Sequence, residues 1–278
     1  MVTLLWLQGI TCNGNSHSFL NYPHLKSLLD CFELLYHPLL PSRYKIEEIE
    51  KIRSVDILVV EGAPSKEWVR GRSTFCKLFS ALEAKWIVAV GSCAVYGGLL
   101  GKRGLAFARN KRIRRFDNLI NIPGCPAHPE WIAYVLWAIV HDKRVALDEW
   151  YRPKELFAYT VHSGCVRNEY FEWKVDAKGF GLKEGCLFYE QGCQAPYTHG
   201  SCNKILWNEV SSKTRAGMPC IGCTEPDFPK RNLFETKTYM GIPATMPLGV
   251  PKRAYLTLTG IAKSFRIERL SKRLLDED

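Results

Sequence analysis

Eleven cysteines carry most of the chemistry that this sequence could perform. Their odd number and the lack of a secretion signal argue against a disulfide framework. In a reducing compartment, metal or iron–sulfur ligation is the better interpretation of so many thiols. Six of them fall between residues 165 and 223, and His162 stands just ahead of these six.

Three further cysteines, Cys12, Cys93 and Cys125, each follow a short apolar run in the first half of the chain. Such runs are typical of strands buried on both faces of a sheet. The four runs span residues 2–7, 55–60, 86–90 and 119–122. Because ligands bind outside the carboxyl ends of strands in open α/β sheets, the fold would bring these three thiols, the Cys12 set, to one edge. The alternative is three buried, unreactive cysteines.

The segments between these runs predict a parallel, doubly wound sheet. Residues 67–83 and 129–141 have helical spacing, and alternation of strand and helix is typical of that fold. Beyond the middle of the chain, long periodic segments become rare and turn-forming residues take over. We therefore predict an α/β domain at residues 1–155 and a smaller, irregular domain at residues 156–278, with a last helix at 259–275.

The irregular domain has little regular structure of its own, so bound metal would have to stabilise it. Its seven donors divide by their order along the chain into two sets. The His162 set is His162, Cys165, Cys186 and Cys193, and the Cys202 set is Cys202, Cys220 and Cys223. The first has the donors for a four-iron cluster and the second those for a three-iron cluster. Zinc is the alternative, because three cysteines and one histidine form an ordinary structural zinc site.

Composition limits the class of protein. With 46% hydrophobic and 24% charged residues, the 278-residue chain is neither disordered nor fibrous. No stretch approaches the roughly 20 apolar residues of a membrane span. The formal net charge of +10 suits nucleic acid, an anionic membrane or an acidic protein as partner, without choosing among them. Without a targeting segment, we expect a cytoplasmic protein, free or peripheral to the membrane.

Six motifs, in order and spanning nearly the whole chain, resemble those of the small, electron-transfer subunit of nickel–iron hydrogenases. They are Trp6-Leu-Gln-Gly with Cys12, Gly91-Ser-Cys93-Ala, Pro123-Gly-Cys125-Pro, His162-x-x-Cys165, Cys186 with Gly192-Cys193, and Cys220-Ile-Gly-Cys223-x-Glu-Pro226. One such motif alone would be unspecific. Six in the family's order identify the resemblance.

The resemblance implies a flavodoxin-like first domain in which the Cys12 set holds a proximal cluster, close to the nickel–iron site of a partner subunit. It implies a medial 3Fe-4S cluster on the Cys202 set and a distal 4Fe-4S cluster on the His162 set. Electrons from hydrogen oxidation would pass from the proximal to the medial to the distal cluster, and then to an acceptor. The function predicted in this way is that of a hydrogenase small subunit.

Asn15 stands where the family usually has a second proximal cysteine, three residues after Cys12. An amide oxygen is a poor ligand for cluster iron, which prefers thiolates. The proximal cluster is therefore predicted either as 3Fe-4S or as 4Fe-4S with Asn15, water or a rearranged group on the fourth iron. His17 is a nearby candidate for that group, and a solvated loop histidine is the alternative. A missing thiolate would raise the potential of the cluster, which suits hydrogen uptake.

The reaction centre must lie in another chain. A nickel–iron site needs paired Cys-x-x-Cys motifs, and the single such pair here is claimed by the Cys202 set. We predict an obligate large subunit, contacted near Trp6, Thr11, Glu61 and Cys125. Glu61 would either relay protons between the subunits or cap the next turn. The acceptor would be a protein or a quinone-linked partner, and heterodimers would form a higher oligomer.

Three functions stay open on the sequence. Electron transfer in a cytoplasmic uptake hydrogenase is favoured, and it predicts no nucleic-acid partner. The alternatives are a hydrogen-sensing hydrogenase and a zinc-stabilised basic module that binds nucleic acid. The basic segment at residues 102–115 is either a solvated loop or a docking surface for an acidic partner. Lys213 fills the place beside the medial cluster where the family often has proline.

Overall fold

The computed structural model of the chain describes residues 1–100, 104–107, 118–229, 238–239, 242–243 and 257. The backbone forms two compact units, Met1–Leu156 and Phe157–Asp278. The helix predicted at residues 259–275 and most of the basic segment 102–115 lie outside the described residues. None of the described helices is long and apolar enough to cross a membrane.

The first unit contains a parallel sheet, as predicted, and the sheet has five strands rather than the four that the sequence indicated. The described strands are Val2–Gln8 (β1), Phe32–Tyr36 (β2), Ser54–Glu61 (β3), Val69–Arg70 (β4), Ser73–Thr74 (β5), Glu83–Val90 (β6), Leu119–Ile122 (β7), Thr238–Tyr239 (β8) and Ile242–Pro243 (β9). Five of them lie side by side in the order β2-β1-β3-β6-β7, and every neighbouring pair is parallel. This is the flavodoxin-like order, which reverses between β1 and β3. The carboxyl ends of β1 and β3 therefore border the crevice where such sheets bind ligands.

The central strands are buried on both faces, which explains their continuous apolar sequences. Residues 5–7 of β1 and 57–60 of β3 are almost completely buried. A strand with both faces covered needs no alternation of polar residues, because neither face meets water. The edge strand β2 is different: its half-buried Glu33 interrupts the apolar run, so the sequence pattern did not predict it.

The longest described helix confirms its prediction. The α-helices are Gly14–Leu20 (α1), Leu25–Leu29 (α2), Phe75–Ala81 (α3), Ser92–Val95 (α4), Pro129–Val140 (α5), Lys154–Phe157 (α6) and Asn168–Glu172 (α7). Short 3₁₀ helices span Ile46–Lys51, Gly98–Leu100, Leu105–Phe107, Val161–Gly164 and Ala195–Tyr197. Helix α5, predicted at residues 129–141, has Pro129 in its first turn. N–H groups in the first turn have no acceptor within the helix, so proline, which lacks an N–H, is tolerated there. His128 Nδ1 caps it by accepting the N–H of Glu130 at 3.2 Å.

The helix predicted at residues 67–83 is wrong over its first half. Only Phe75–Ala81 is helical, and the Thr74 hydroxyl begins it by accepting the N–H of Lys77 at 3.4 Å. Ahead of the helix, β4 and β5 pair as a tight hairpin around Gly71, whose φ of +63° suits glycine. A Cβ on Gly71 would also lie 2.5 Å from the carbonyl oxygen of Ile46. The glycine turn therefore overrides the helical spacing.

The second unit has little regular secondary structure among its described residues. Its hydrophobic core contains three of the predicted ligands, Cys186, Cys193 and Cys220, together with Phe171 and Phe188. The two phenylalanine rings stand edge to face with 5.5 Å between their centroids. The predicted binding sites of this unit therefore involve its core and not only its surface.

Candidate iron–sulfur cluster sites

The Cys12 set lies on three loops at the carboxyl edge of the sheet. Cys12 follows β1, Cys93 lies in α4 just after β6, and Cys125 follows β7. Because these strands are parallel, the loops leave the sheet on the same side. Cys12 is exposed, whereas Cys93 and Cys125 are half-buried. His17 is exposed on α1, as the solvated alternative requires.

Two observations show how closely these loops approach one another. Burial raises the pKa of the Cys93 thiol and the nearby Cys12 thiol raises it further, while the backbone N–H of Leu99 lowers it. A Cβ on Gly14 would lie 3.2 Å from Cys12 Sγ and 3.7 Å from Pro126 Cβ. The start of α1 therefore meets both the Cys12 thiol and the loop that carries Cys125.

Asn15 lies between two of these loops, and its amide is already hydrogen-bonded. The side chain is 6% exposed, and Oδ1 accepts the backbone N–H of Ala127, just after Cys125, at 2.9 Å. A Cβ on Gly91, just before Cys93, would lie 2.3 Å from Asn15 Nδ2. The amide therefore fills the space between the Cys93 and Cys125 loops. This structural role occupies the oxygen that would have to bind iron.

Glu61, at the end of β3, organises the loop that carries Cys12. Its two carboxylate oxygens accept hydrogen bonds from β1, from that loop and from the first turn of α1. The donors are Trp6 Nε1 (2.9 Å), Gln8 Nε2 (3.2 Å), Thr11 Oγ1 (3.1 Å), Asn15 N (3.0 Å), Ser16 N (3.2 Å) and Ser16 Oγ (2.5 Å). Two of them are backbone N–H groups that have no partner within the helix, so the carboxylate caps α1.

Glu61 behaves as a fixed anion. Burial raises its pKa, but the hydrogen bonds from Ser16, Trp6 and Gln8 outweigh burial and leave the pKa below its usual value. Of the two predicted roles, capping fits this geometry, although the capped turn follows β1 and not β3. Trp6 and Glu61 are fully buried, so they lie beneath the predicted partner contact. Of the four residues predicted to contact the partner subunit, the half-buried Thr11 and Cys125 are the accessible ones.

The four members of the His162 set line a single cavity. Arg167 also lines this cavity. His162 lies in the 3₁₀ helix Val161–Gly164, and Cys165 directly follows that helix. Cys186 and Cys193 are buried, whereas Cys165 is half-buried. The structure therefore brings all four donors of this set together.

His162 has the properties of a metal ligand. Burial lowers its pKa, so the imidazole is neutral at physiological pH, which is the form that binds metals. Its ring stands edge to face with Phe171 at 4.4 Å between centroids. Among the described residues, its Nε2 has no hydrogen-bond partner. A buried ring nitrogen without a partner fits a site that binds a metal group.

The buried thiols of this set would need a positive group to ionise. Burial raises the pKa of Cys186 to about 12 and that of Cys193 well above its usual value. Without metal, both thiols are therefore protonated, and they would release their protons on binding iron. The backbone N–H of Phe188 points at Cys186 Sγ over 3.3 Å, a hydrogen bond that favours the thiolate.

The donor types of the His162 set suit both an iron–sulfur cluster and structural zinc. In the part of the chain that the structure describes, no three His, Cys, Asp or Glu side chains form a ready-made site for one metal ion. Three cysteines and one histidine share one cavity. Thiolates are the usual ligands of cluster iron, and three cysteines with one histidine also form structural zinc sites.

The Cys202 set forms a second group of neighbouring thiols. Burial raises the pKa of Cys202 and of Cys220, and repulsion between the thiolates, including Cys223, raises both further. The Lys213 ammonium lowers the pKa of the same two thiols, so its charge lies near this group. The lysine predicted beside the medial site is therefore close enough to act on it.

The residues after Cys223 hold the end of this motif in place. Glu225 Oε1 accepts the backbone N–H of His199 at 2.6 Å, and the Thr224 hydroxyl donates to the His199 carbonyl at 2.6 Å. These bonds fix the Cys-x-Glu-Pro segment against the chain just before Cys202. They give a structural reason for the polar residues of the motif.

The His162 set and the Cys202 set adjoin. Cys193 Sγ accepts the backbone N–H of Cys220 at 3.2 Å, and the N–H of Gln194 donates to the Cys220 carbonyl at 2.8 Å. The Cys220 thiol also raises the pKa of Cys193. Cofactors on the two sets would therefore be neighbours, with a hydrogen bond between one ligand of each.

Two buried polar residues that no sequence pattern indicated hold the second unit together. Asn203 Oδ1 accepts the hydroxyls of Ser212 and Thr214, and its Nδ2 donates to the carbonyl of Val161 at 2.8 Å. Arg167 donates to backbone carbonyls around the cavity. Each follows a predicted ligand by one or two positions. Their position in the sequence, next to predicted ligands, is the signal that could have indicated them.

Two family models match the chain, and known proteins match most of its length. Residues 157–235 match the model for the C-terminal part of the NiFe/NiFeSe hydrogenase small subunit. Residues 12–139 match that of the NADH ubiquinone oxidoreductase 20 kDa subunit. The chain is 34% identical to the F420 non-reducing hydrogenase II small subunit of Methanosarcina mazei, over 81% of this chain and 73% of that protein.

A relative of known structure extends the match. The periplasmic NiFeSe hydrogenase small subunit of Desulfomicrobium baculatum is 32% identical, over 81% of this chain and 84% of that protein. The crystal structure of a reduced, active form of the enzyme from this organism matches with a TM-score of 0.69 and 30% identity. That match covers 82% of this chain and 96% of the other. Motifs, fold and relatives agree, and the chain belongs to the family of nickel–iron hydrogenase small subunits.

Proposed function

We propose that this chain relays electrons from hydrogen oxidation in its large subunit, through proximal, medial and distal iron–sulfur clusters, to an acceptor. The observation that carries the proposal is the contact between two donor sets, where Cys193 Sγ accepts the N–H of Cys220 at 3.2 Å. Stabilising a small unit would need only one metal group. Two adjoining sets suit the passage of electrons between cofactors.

The cofactors proposed are a 4Fe-4S cluster on the His162 set, a 3Fe-4S cluster on the Cys202 set and a proximal cluster on the Cys12 set. Bound clusters of this kind would supply one-electron redox chemistry. The residues of this chain bind them through thiolate and imidazole donors and keep water away by burying Cys186, Cys193 and Cys220. Burial and N–H···S hydrogen bonds are two of the factors that set cluster potentials.

For the proximal cluster we propose three protein ligands, Cys12, Cys93 and Cys125. The position of Asn15 supports this number, because its Oδ1 already accepts the N–H of Ala127 at 2.9 Å. The cluster is then 3Fe-4S, or 4Fe-4S with a non-protein group on its fourth iron. One thiolate fewer means less negative charge and a higher potential, which favours hydrogen uptake over proton reduction.

Uptake is therefore the physiological role that we propose, with hydrogen sensing as the alternative. Brisk hydrogen-dependent dye reduction by the purified complex would support uptake. Slow turnover and co-purification with a histidine kinase would support sensing. A proximal potential below that of the hydrogen couple would contradict the proposed direction.

The large subunit is proposed to cover the rim of the Cys12 set. Cys12 is exposed there, and Thr11 and Cys125 are half-buried. In the loop after Cys93, Leu99 and Leu100 are 58% and 41% exposed. Large exposed apolar side chains beside a ligand loop mark a surface that a partner covers.

The cytoplasmic location and the higher oligomer of heterodimers stay predictions. Three matched relatives are periplasmic by name, so fractionation of cells is the deciding measurement for location. Light scattering on the purified complex measures the oligomer. Reduction of candidate proteins or quinones by the hydrogen-treated complex identifies the acceptor.

The relay is tested by removing one ligand from each set of the second unit. In the anaerobically purified heterodimer, Cys193→Ser and Cys220→Ser should each weaken hydrogen-dependent reduction of an external acceptor and alter the EPR signal of one cluster. Cys31→Ser is the matched control, because Cys31 lies between α2 and β2 and outside all three sets. Full acceptor reduction by both ligand variants, with spectra like those of the control, would contradict the proposal.

A further inference from the structure

Among the described residues, Arg167 is a buried cation without a carboxylate partner. Its side chain is 3% exposed and directly precedes α7. Every hydrogen bond that it makes within the described residues goes to a backbone carbonyl. The three bonds are Nε to Thr214 O (2.6 Å), Nη1 to Gly185 O (2.7 Å) and Nη2 to Leu182 O (2.5 Å). Carbonyl groups carry no net charge, so the buried positive charge has no counter-charge in these contacts.

The same side chain lines the cavity of the His162 set. Arg167 borders that cavity together with Cys165, Cys186 and Cys193. Burial lowers the pKa of Arg167, and these three thiols act in the opposite direction, as neighbouring anions would. An arginine stays protonated at any physiological pH, so the cavity has a permanent positive wall.

We propose that Arg167 is the counter-charge of the distal cluster and raises its reduction potential. The inference rests on the proposed function, because it takes the His162 set to hold an iron–sulfur cluster. Three thiolates and a neutral imidazole make a 4Fe-4S cluster anionic, and reduction adds one more negative charge. A buried positive charge nearby stabilises the reduced form more than the oxidised form. Arg167 thus favours electron acceptance at the last cluster of the relay.

Arg167 is also a positioning residue for the ligand loops. Gly185, whose carbonyl accepts from Nη1, directly precedes Cys186. Its φ is +87°, and a Cβ there would lie 2.5 Å from the backbone N of Ala177, so this turn tolerates little change. Lysine could supply the charge of Arg167 but not its planar, three-way hydrogen bonding. Substitution can therefore separate the charge from the positioning.

Lys174 is another buried cation in this unit, but it does not border the cavity. Lys174 donates to the carbonyl of Phe171 at 3.1 Å, and its ammonium lies over the rings of Phe171 and Tyr189. It does not line the cavity of the His162 set. Among the buried cations described near this set, Arg167 is the one on the cavity wall.

The test is a redox titration followed by EPR on the anaerobically purified heterodimer. Arg167→Gln removes the charge and keeps an amide donor, whereas Arg167→Lys keeps the charge. Lys178→Gln is the control, because it removes an exposed charge, paired with Glu190, from the same unit. We expect Arg167→Gln to shift the distal equilibrium at least tenfold toward the oxidised form, which is about 59 mV for a one-electron couple. Arg167→Lys and the control should stay near the wild-type potential.

An unchanged distal potential in Arg167→Gln, with the cluster fully present, would overturn the inference. Iron and sulfide are therefore counted in every variant. Arg167→Gln could fail to hold the distal cluster at all. In that case, a distal cluster that is retained in Arg167→Lys supports the role of Arg167 as a counter-charge. Loss of the cluster from both variants overturns that role. If the wild-type protein gives no distal-cluster signal, the proposed function itself fails before any variant is compared.

Discussion

At the scale of single residues, we propose that Asn15 leaves the proximal cluster with three protein ligands. If that cluster is 3Fe-4S, Asn15→Cys should add one iron to it; in either form the variant should lower the potential of the cluster, because a fourth thiolate brings negative charge. The same change removes the acceptor of the Ala127 N–H, at a cost of about 1 kcal/mol. Iron analysis with EPR measures the first effect, and thermal unfolding of the heterodimer measures the second.

Asn15→Ser is the matched control for the cysteine variant. It removes the amide without supplying a thiolate, so it should lose similar stability and keep the wild-type iron content. If Asn15→Cys also keeps the wild-type iron content and spectra, then Asn15 is not the cause of an incomplete cluster.

Glu61 anchors the first turn of α1, and its substitution should be severe. All six of its contacts come from donors. In Glu61→Gln one acceptor oxygen becomes a donor inside a buried network, which should destabilise the fold by roughly 3 kcal/mol. Thermal unfolding of the heterodimer measures this loss, and Glu67→Gln, at an exposed side chain, is the control. Normal stability with lost hydrogen turnover would instead indicate a proton relay.

Asp56 should make stability depend on pH at the opposite end of β3. Its hydrogen bond with Lys85 and those from Thr3 N (2.9 Å) and Thr3 Oγ1 (2.7 Å) lower its pKa to about 2. Because the folded-state pKa lies below the unfolded value of 3.8, the stabilisation is complete above that value and is lost as pH falls toward the folded-state pKa. Asp56→Asn should lower the unfolding temperature at neutral pH.

The gap between Asp56→Asn and the wild type should narrow below about pH 4. Asp30→Asn, at an exposed position after α2, is the control and should show no such narrowing. A gap that stays constant or widens as the pH falls would show that Asp56 does not act through its charge.

The sequence predicted residue types better than residue partners. Cysteine spacing and one histidine indicated the candidate ligands, and the departure at Asn15 was visible from the motif alone. The six donors to Glu61 could not be read from the sequence, because β1, the loop after it and α1 meet β3 only when the sheet forms. Arg167 was missed because its partners are backbone carbonyls, which have no signature in a sequence.

At the scale of elements, Gly91 links the end of β6 to Asn15. Its φ is +85°, and a Cβ there would lie 2.3 Å from Asn15 Nδ2. Gly91→Ala should therefore destabilise the fold by at least ~1 kcal/mol from backbone strain alone. Asn15→Ala should relieve the collision but not the strain, so the double variant should lose less than the sum of the single losses.

Denaturation of the heterodimer variants measures this coupling. Gly179→Ala is the control, because a Cβ there would meet no atom within 4 Å. Strictly additive losses in the double variant would show that Gly91 and Asn15 are not in contact.

Elements were predictable where one physical signal dominated. The strands β1, β3, β6 and β7 are apolar because both of their faces are buried, and α5 has a proline start and helical spacing. The sequence at residues 67–74 carried two conflicting signals, helical spacing and a glycine turn. The turn forms, because a Cβ at position 71 would collide with the backbone of Ile46. Edge strand β2 was missed because its partly exposed sequence lacks a continuous apolar run.

At the scale of the whole molecule, the two units are stabilised in different ways. The first has a sheet whose buried strands supply an extensive apolar core. The second has few regular elements among its described residues, and its core contains predicted cluster ligands. We therefore expect the second unit to depend on its cofactors for folding, as small metal-binding domains do.

The content of iron and acid-labile sulfide in the anaerobically purified heterodimer tests the three-cluster relay most directly. The relay predicts about ten or eleven iron atoms with comparable sulfide in this chain, and nickel confined to the large subunit. About ten would support the 3Fe-4S proximal form, provided that EPR excludes cluster loss. Zinc without sulfide would contradict the relay and leave a metal-stabilised chain with no path for electrons.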